Sequence, residues 1–238
     1  MPRPRIIAAL APGSPADLPE DGARRVASAD IVEVRLDAIE GGAHAAVSVC
    51  RSVAAWGRPL LITPRSAGEG GMRAWSEAER REVLAAVWEA LPVAYVDVEV
   101  RDSPRLLEWV LAERPEGVEA IASFHDFTAY PGEGALDVLA LEAGAKGADH
   151  FKAAVRVADL DQMARLACWT RDRSRTQSLL TMAMGPAGTL SRLMGGAFGS
   201  WATYGHIATA TAPGQLGVAE LAELRDRFFP AEGADGAG

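Results

Sequence analysis

Two residue types are almost missing from this sequence. Cysteine occurs twice, at Cys50 and Cys168, too few and too far apart for a disulfide framework or a zinc site, which fits a reducing, cytoplasmic setting. Lysine also occurs only twice, at Lys146 and Lys152, so 22 of the 24 basic residues are arginine. Basic charge as a whole is in deficit: 32 acidic residues leave a net charge of −8, which argues against nucleic acid or an acidic membrane surface as a partner. No apolar run approaches transmembrane length. At the N-terminus, Arg3 and Arg5 precede Ile6-Ile7-Ala8-Ala9-Leu10-Ala11, but that run is shorter than the roughly 7–15 residues of a signal-peptide core and stops at Pro12-Gly13. It reads as a first strand. No Gly-x-Gly-x-x-Gly follows that strand, and neither a P-loop nor a Gly-x-Ser-x-Gly elbow occurs, which removes support for nucleotide binding and for a serine hydrolase. The four histidines do not cluster as metal ligands: His44 falls in a helix, His150 and His206 near strand starts, and only His125 at a strand end.

What remains is a regular alternation. Eight short apolar runs recur, over Arg5–Leu10, Ile31–Asp37, Pro59–Arg65, Ala94–Val100, Glu119–Asp126, His150–Val157, Ser178–Met184 and His206–Thr211. Between them lie amphipathic segments near Asp21–Ala27, Ala43–Trp56, Ser76–Leu91, Ser103–Glu113, Gly134–Lys146, Asp159–Thr170, Thr189–Ser200 and Val218–Phe229. Ser76 with Glu79 forms a capping-box pattern, and Ser103-Pro104 puts proline at a first helical position. Strand–helix units about 30 residues apart imply parallel strands with crossovers. Eight of them in 238 residues predict an α/β fold, a closed (β/α)8 barrel, as a single catalytic domain over residues 1–229. The Gly- and Ala-rich tail, 230–238, is expected to be disordered.

Parallel barrel strands are ordinarily apolar throughout, so charges inside them need a reason. Alternation puts Glu33, Arg35 and Asp37 on one face of strand 2, Thr63 and Arg65 on strand 3, and Asp97 and Glu99 on strand 4. It puts Ser123 with His125 on strand 5, and His150 with Lys152 on strand 6. Such charges can neutralise one another as ion pairs, but desolvation makes that a poor source of stability, so a charged pocket in the upper barrel is the better explanation. Lys152 is open to two readings by itself: a strand-end lysine that snorkels to water, or a nucleophile. An interior lysine among arginines is expected to hold a neutral amine, which condenses with a ketone or aldehyde to an iminium, an electron sink. A histidine beside it can take the proton α to that carbon.

At these residues the chain resembles the type I 3-dehydroquinate dehydratase family. The resemblance rests on Glu33-Val34-Arg35-Leu36-Asp37, Arg65-Ser66-Ala67-Gly68-Glu69-Gly70-Gly71, Asp97-Val98-Glu99 and Ser123-Phe124-His125-Asp126-Phe127. It continues through Gly147-Ala148-Asp149-His150-Phe151-Lys152, Met182-Ala183-Met184-Gly185, Ser191-Arg192, Phe198-Gly199-Ser200 and Ala212-Pro213-Gly214-Gln215. The family implies a cytoplasmic homodimer of the shikimate pathway, with 3-dehydroquinate as substrate and no metal or other cofactor. It implies that Lys152 forms a Schiff base with the substrate ketone, that His125 moves the protons, and that Glu69 orients His125. Arg192 would take the substrate carboxylate; Glu33, Arg35, Arg65, Thr211 and Gln215 would hold the rest of it. Met182, Met184 and Tyr204 would form an apolar wall, and the loop from Thr203 to Gln215 a lid. The sequence departs from the family pattern at several places. Pro64 stands where an aromatic residue is typical, His150-Phe151 replaces an apolar-proline pair, and Trp201 stands where a small residue is usual. Tyr204 stands where phenylalanine is common, and Thr211 takes a serine's place. Strand 1 carries Ala8 and Ala9 without a hydroxyl, and the N-terminal hairpin that closes such barrels is expected to be missing. Two alternatives stay open: a sugar-phosphate aldolase using Gly195-Gly196 and Gly205 as a phosphate cup, and a catalytically silent barrel that binds a related ligand.

Overall fold

The computed structural model describes residues 3–185, 188–207 and 215–230. Eight strands run parallel: β1 (Arg5–Leu10), β2 (Ile31–Arg35), β3 (Leu60–Thr63), β4 (Tyr95–Glu99), β5 (Glu119–Asp126), β6 (His150–Arg156), β7 (Leu179–Met184) and β8 (Ala202–His206). They are ordered β7-β6-β5-β4-β3-β2-β1-β8. The ring is nearly closed between β7 and β8, where the Trp201 amide donates to the Leu179 carbonyl at 2.9 Å. The helices on the outside are α1 (Gly22–Arg25), α2 (Gly42–Ala54), α3 (Glu77–Ala90), α4 (Pro104–Glu113), α5 (Glu133–Ala145), α6 (Leu160–Arg173), α7 (Gly188–Met194) and α8 (Val218–Phe228). The barrel architecture expected from the alternation is therefore present. Ser76 caps α3 as a capping box, and Pro104 opens α4. No helix among the described residues is long and apolar enough to cross a membrane.

Strand alternation sorts the side chains into two apolar layers. Ile6, Ala8, Val32, Val34, Ile62, Val96, Val98, Phe124, Phe151 and Val155 point out and are buried against the helices. Inside, Ile7, Ile31, Leu61, Tyr95, Ile121, Leu180 and Ala202 fill the lower barrel. The inward faces are thus apolar below and polar above, rather than polar along their length. The lower end is occupied by an aromatic group: His150 stacks on Trp201 at 4.4 Å between centroids, and Tyr95 lies 5.8 Å from Trp201. Arg5 sits over the Trp201 ring at 5.7 Å.

Several boundaries differ from the sequence reading. Strand 8 is Ala202–His206, so it begins four residues ahead of the expected His206–Thr211, of which residues 208–211 lie outside the described set. Ala202, Thr203, Tyr204, Gly205 and His206 pair with Arg5, Ile6, Ile7, Ala8 and Ala9, and Gly205 is what hides the strand in the sequence. A Cβ at Gly205 would stand 3.0 Å from Leu221 and 3.1 Å from Val218, so the glycine lets α8 pack directly on the strand. The expected lid loses its first residues to this strand: Thr203, Tyr204 and His206 are barrel wall, while residues 208–214, with Thr211, lie outside the described set. The helix expected over Thr189–Ser200 ends at Met194 and tightens into a 3-10 turn, Gly195–Phe198. Strands 2 and 3 stop two residues early, so Asp37 lies in a 3-10 turn, Leu36–Ala38, and Pro64 follows β3 instead of costing it a ladder hydrogen bond. The tail residues 231–238 also lie outside the described set.

Candidate active site

Lys152 is the middle inward residue of β6, between His150 below and Ala154 above. It is 3% exposed, so its amine is inside the barrel and does not snorkel. Its Nζ donates to Asp97 Oδ2 at 2.9 Å and to the Tyr204 hydroxyl at 3.1 Å. The sequence reading put this amine among cations; the structure adds a carboxylate against it, because Asp97 is the inward residue of β4 at the same height. Burial alone would raise the Asp97 carboxyl, but the Arg65 guanidinium and the Lys152 amine outweigh it and hold the group below the usual carboxylate range.

Arg65 organises this layer. Its Nη2 donates to Asp97 Oδ1 at 2.8 Å, and its Nη1 to Glu99 Oε1 at 2.8 Å and Ser123 Oγ at 2.7 Å. Glu99 is held from the far side by Arg80 and Ser103. Both Nη atoms of Arg65 are engaged by protein groups, so it reaches a ligand chiefly as charge. Glu33 accepts from Thr63 at 2.7 Å and from Tyr204 at 3.3 Å. Arg35 forms a two-bond pair with Asp37, at 2.8 and 2.7 Å, and also donates to the Gly70 carbonyl. A buried polar network of this kind is sustained only when its members are satisfied, and here nearly all are.

His125 is the next-to-last residue of β5, and Glu69 reaches it from the 3-10 turn Ala67–Glu69 that follows β3. Gly70 takes a left-handed φ of +87° after that turn, and a Cβ there would meet Phe127 at 2.7 Å, so only glycine lets the loop close this tightly. Glu69 Oε2 accepts from the His125 backbone amide at 2.7 Å and lies 3.0 Å from Nδ1. An oxygen already accepting one N–H is best matched by a second donor, which assigns the proton to Nδ1 and leaves the Nε2 lone pair free. Burial, reinforced by Arg65 and Lys152, pushes the His125 imidazole well below its ordinary value. Burial also pushes the Glu69 carboxyl up to about 8, against the pull of Arg65. Both shifts favour neutral partners, so near pH 7 the pair is a hydrogen bond rather than a salt bridge.

Arg192, in α7, is 4% exposed and pairs with no carboxylate among the described residues. Among the described residues its hydrogen-bond partner is the Met182 sulfur, at 3.5 Å from Nη1, and its Nε has none. A buried guanidinium left this way is costly unless an anion arrives. One cavity of about 260 Å³ is lined by Lys152, His125, Glu69, Glu33, Arg35, Arg65, Arg192 and Gln215, with Met182, Met184, Tyr204 and Ala9 as its less polar surface. Of the residues to which the family resemblance gives a catalytic or substrate-binding part, only Thr211 is missing from this lining, since it lies outside the described set.

Four contributors escaped sequence reading in whole or in part. Asp97 was legible as an inward charge, but not as the partner of Lys152. Phe127 stacks on His125, with ring planes 15° apart, and Met72 lines the cavity mouth; neither carries a chemical signal in the sequence. Tyr204 is more than a wall, because its hydroxyl bonds Lys152 and Glu33. The glycines that an aldolase phosphate cup would need serve packing instead: a Cβ at Gly196 would meet Pro4 at 2.6 Å, and Gly205 faces α8.

The profile of the type I 3-dehydroquinase family matches residues 13–228. The sequence is 33% identical over 200 residues to a 3-dehydroquinate dehydratase of Albidiferax ferrireducens, covering 81% of this chain and 76% of that one. It is 32% identical over 232 residues to the 3-dehydroquinate dehydratase of Bacillus licheniformis, covering 93% and 91%. The fold superposes with a TM-score of 0.86 on the type I 3-dehydroquinate dehydratase of Clostridium difficile with covalently modified comenic acid, at 25% identity over 96% of this chain and 93% of that one. The 3-dehydroquinate dehydratase of Geobacillus kaustophilus superposes equally well, at 27% identity with the same coverage. With a profile that spans nearly all of the barrel and relatives at this identity, the chain belongs to the type I 3-dehydroquinase family.

Proposed function

We propose that the barrel carries out its family's reaction, the dehydration of 3-dehydroquinate to 3-dehydroshikimate in the shikimate pathway, through an imine on Lys152. The enzyme is a hydro-lyase. Lys152 attacks the C3 ketone, and water leaves as the iminium forms. That cation acidifies the neighbouring C2–H, which His125 removes through Nε2. The resulting enamine expels the C1 hydroxyl; His125, now protonated, delivers the proton with which it departs as water. Hydrolysis of the conjugated iminium then returns Lys152 and releases the enone.

Each residue near the cavity has a part in this scheme. Glu69 fixes the His125 tautomer and supports the positive charge the ring acquires. Arg192 meets the C1 carboxylate as a fork that can make two parallel bonds. Glu33, Arg35 and Gln215 take the ring hydroxyls, with Thr211 from the segment outside the described residues, and Met182 and Met184 cover the apolar face of the ring. Arg65 holds Asp97 and Glu99 in place behind the lysine. The observation that carries the reading is the buried Lys152 amine opening onto the same cavity as the unpaired Arg192 guanidinium. An amine nucleophile and an anion seat in one small chamber match a substrate that is both ketone and carboxylate.

Borohydride reduction with 3-dehydroquinate, followed by peptide mass spectrometry, tests it. The expected result is a reduced adduct on Lys152, absent from Lys152→Ala and retained at a slower rate in His125→Ala. An active enzyme that gives no adduct on Lys152 sinks the mechanism. The same reading places the enzyme in the cytoplasm as a homodimer. Val138 and Leu141, more than half exposed on α5, offer an apolar face for a second copy. Sedimentation showing only monomer at working concentration would remove that part.

A further inference from the structure

We propose that the Tyr204 hydroxyl carries the proton between Lys152 and Glu33 while the imine forms and breaks. The proposal rests on the Lys152 mechanism above and adds a catalytic residue to it. A ring at this position needs no hydroxyl to serve as wall. Here the hydroxyl stands between the two groups: it accepts from Lys152 Nζ at 3.1 Å and donates to Glu33 Oε1 at 3.3 Å. The amine also lies 4.5 Å from the centroid of the Tyr204 ring, so the ring fixes the amine beside the hydroxyl. Glu33 is itself buried and steadied by Thr63.

Only a neutral amine attacks a ketone, so any proton that Lys152 shares with Asp97 must leave before the attack. Asp97 is in direct contact but is a poor acceptor: Arg65 and Ser123 occupy its Oδ1, and the guanidinium stabilises its anion. His125 makes no hydrogen bond to the amine. Among the described residues that leaves the route through Tyr204. Nζ–H passes to the phenolic oxygen as the phenolic O–H passes to Glu33, which gives a neutral amine, an unchanged phenol and a neutral carboxylic acid. Attack on the carbonyl carbon leaves a positive nitrogen and an alkoxide; one N–H proton passes from that nitrogen to the alkoxide, and the resulting carbinolamine must lose its hydroxyl as water. Tyr204 then gives its O–H to the departing oxygen and recovers a proton from Glu33, leaving iminium, phenol and carboxylate. Charge and protons balance with no other reactant. Burial, with Glu33 and Asp97 beside it, pushes the Tyr204 phenol well above its ordinary value, so the hydroxyl is protonated before and after each transfer.

Tyr204→Phe keeps the ring and removes the link. In rapid-quench experiments with borohydride, its Lys152 adduct should accumulate roughly 10–100-fold more slowly than in the wild type, the scale of a lost general acid–base group. Affinity for a substrate analogue with an alcohol at C3, which cannot condense, should be unchanged. Glu33→Gln, which can still accept the Tyr204 hydrogen bond but cannot store the proton, should slow adduct formation in the same way. Wild-type adduct rates in either variant overturn the relay while leaving the Lys152 mechanism standing. Loss of analogue affinity in parallel with rate in Tyr204→Phe overturns it too, since the hydroxyl would then be a binding contact. Absence of any adduct in the wild type would refute the underlying mechanism instead.

Discussion

Arg192 separates binding from stability more cleanly than any other residue of the site. Arg192→Met keeps most of the buried stem and removes the charge. Among the described residues the guanidinium pairs with no carboxylate, so no salt bridge seen there is broken, and loss of a desolvated cation should leave the urea midpoint unchanged or raised. Against substrate the outcome is the reverse. Two charge-assisted hydrogen bonds to a carboxylate are worth about 1.5–3 kcal/mol each, or about 3–6 kcal/mol together. At about 1.4 kcal/mol per factor of ten, kcat/KM should fall roughly 10²–10⁴-fold. The carboxylate keeps its charge throughout the elimination, so the contact is equally strong in ground and transition states, and the loss should appear chiefly in KM. The product is an enone conjugated to a carboxylate, so its ultraviolet absorbance reports turnover directly. An unchanged KM would remove Arg192 from the carboxylate seat. A variant several kcal/mol less stable would mean that the guanidinium is structural.

Two further outcomes follow from the buried carboxyls. Glu69 is pushed up to about 8, and its ionised form strengthens His125 as a base, so kcat/KM should climb as pH rises through that value; Glu69→Gln should flatten this limb, and a pH profile identical to wild type would exclude the coupling. Asp97→Asn breaks the buried pairs with Arg65 and Lys152 and should cost about 3–5 kcal/mol at neutral pH, read by urea unfolding. Because the Asp97 carboxyl titrates lower in the fold than its ordinary 3.8, its stabilisation is complete above that value and drains away as pH falls below it. The D97N variant should therefore lose part of the wild type's acid-induced drop, and an equal drop in both would contradict the assignment.

Much of the barrel was readable because strand alternation is a local signal. β5 begins and ends where its apolar pattern does, and the capping box of α3 stands at Ser76 and Glu79. The failures fall where a neighbouring element overrides local preference. β8 contains Gly205, a poor strand former kept because α8 lies against it, while the β-branched run after His206 looked more like a strand. α7 is cut short at Gly195-Gly196, where the chain approaches Pro4. At the site, inward charges could be counted from the sequence but not paired. That Arg35 turns to Asp37 while Arg65 reaches across to Asp97 depends on loop geometry that no spacing encodes.

His150 shows how two local oddities can be a single feature. It stands where the family pattern has an apolar residue, two positions before Lys152, and Trp201 stands where a small residue is usual. In the barrel the two rings stack at 4.4 Å. His150 is one inward position below Lys152, roughly 6.6 Å along the strand, and its nitrogens are held by Ser178 at 2.7 Å and Glu119 at 2.6 Å. A charged imidazole so close beneath the amine would repel its ammonium. Burial pushes the His150 imidazole below its ordinary value although Glu119 pulls the other way, which favours a neutral ring. Trp201 covers that ring, Tyr95 flanks it, and Arg5 lies over the outer side of the indole. The larger tryptophan is thus what makes a histidine tolerable under Lys152. Together they give the barrel an aromatic floor one layer below Lys152.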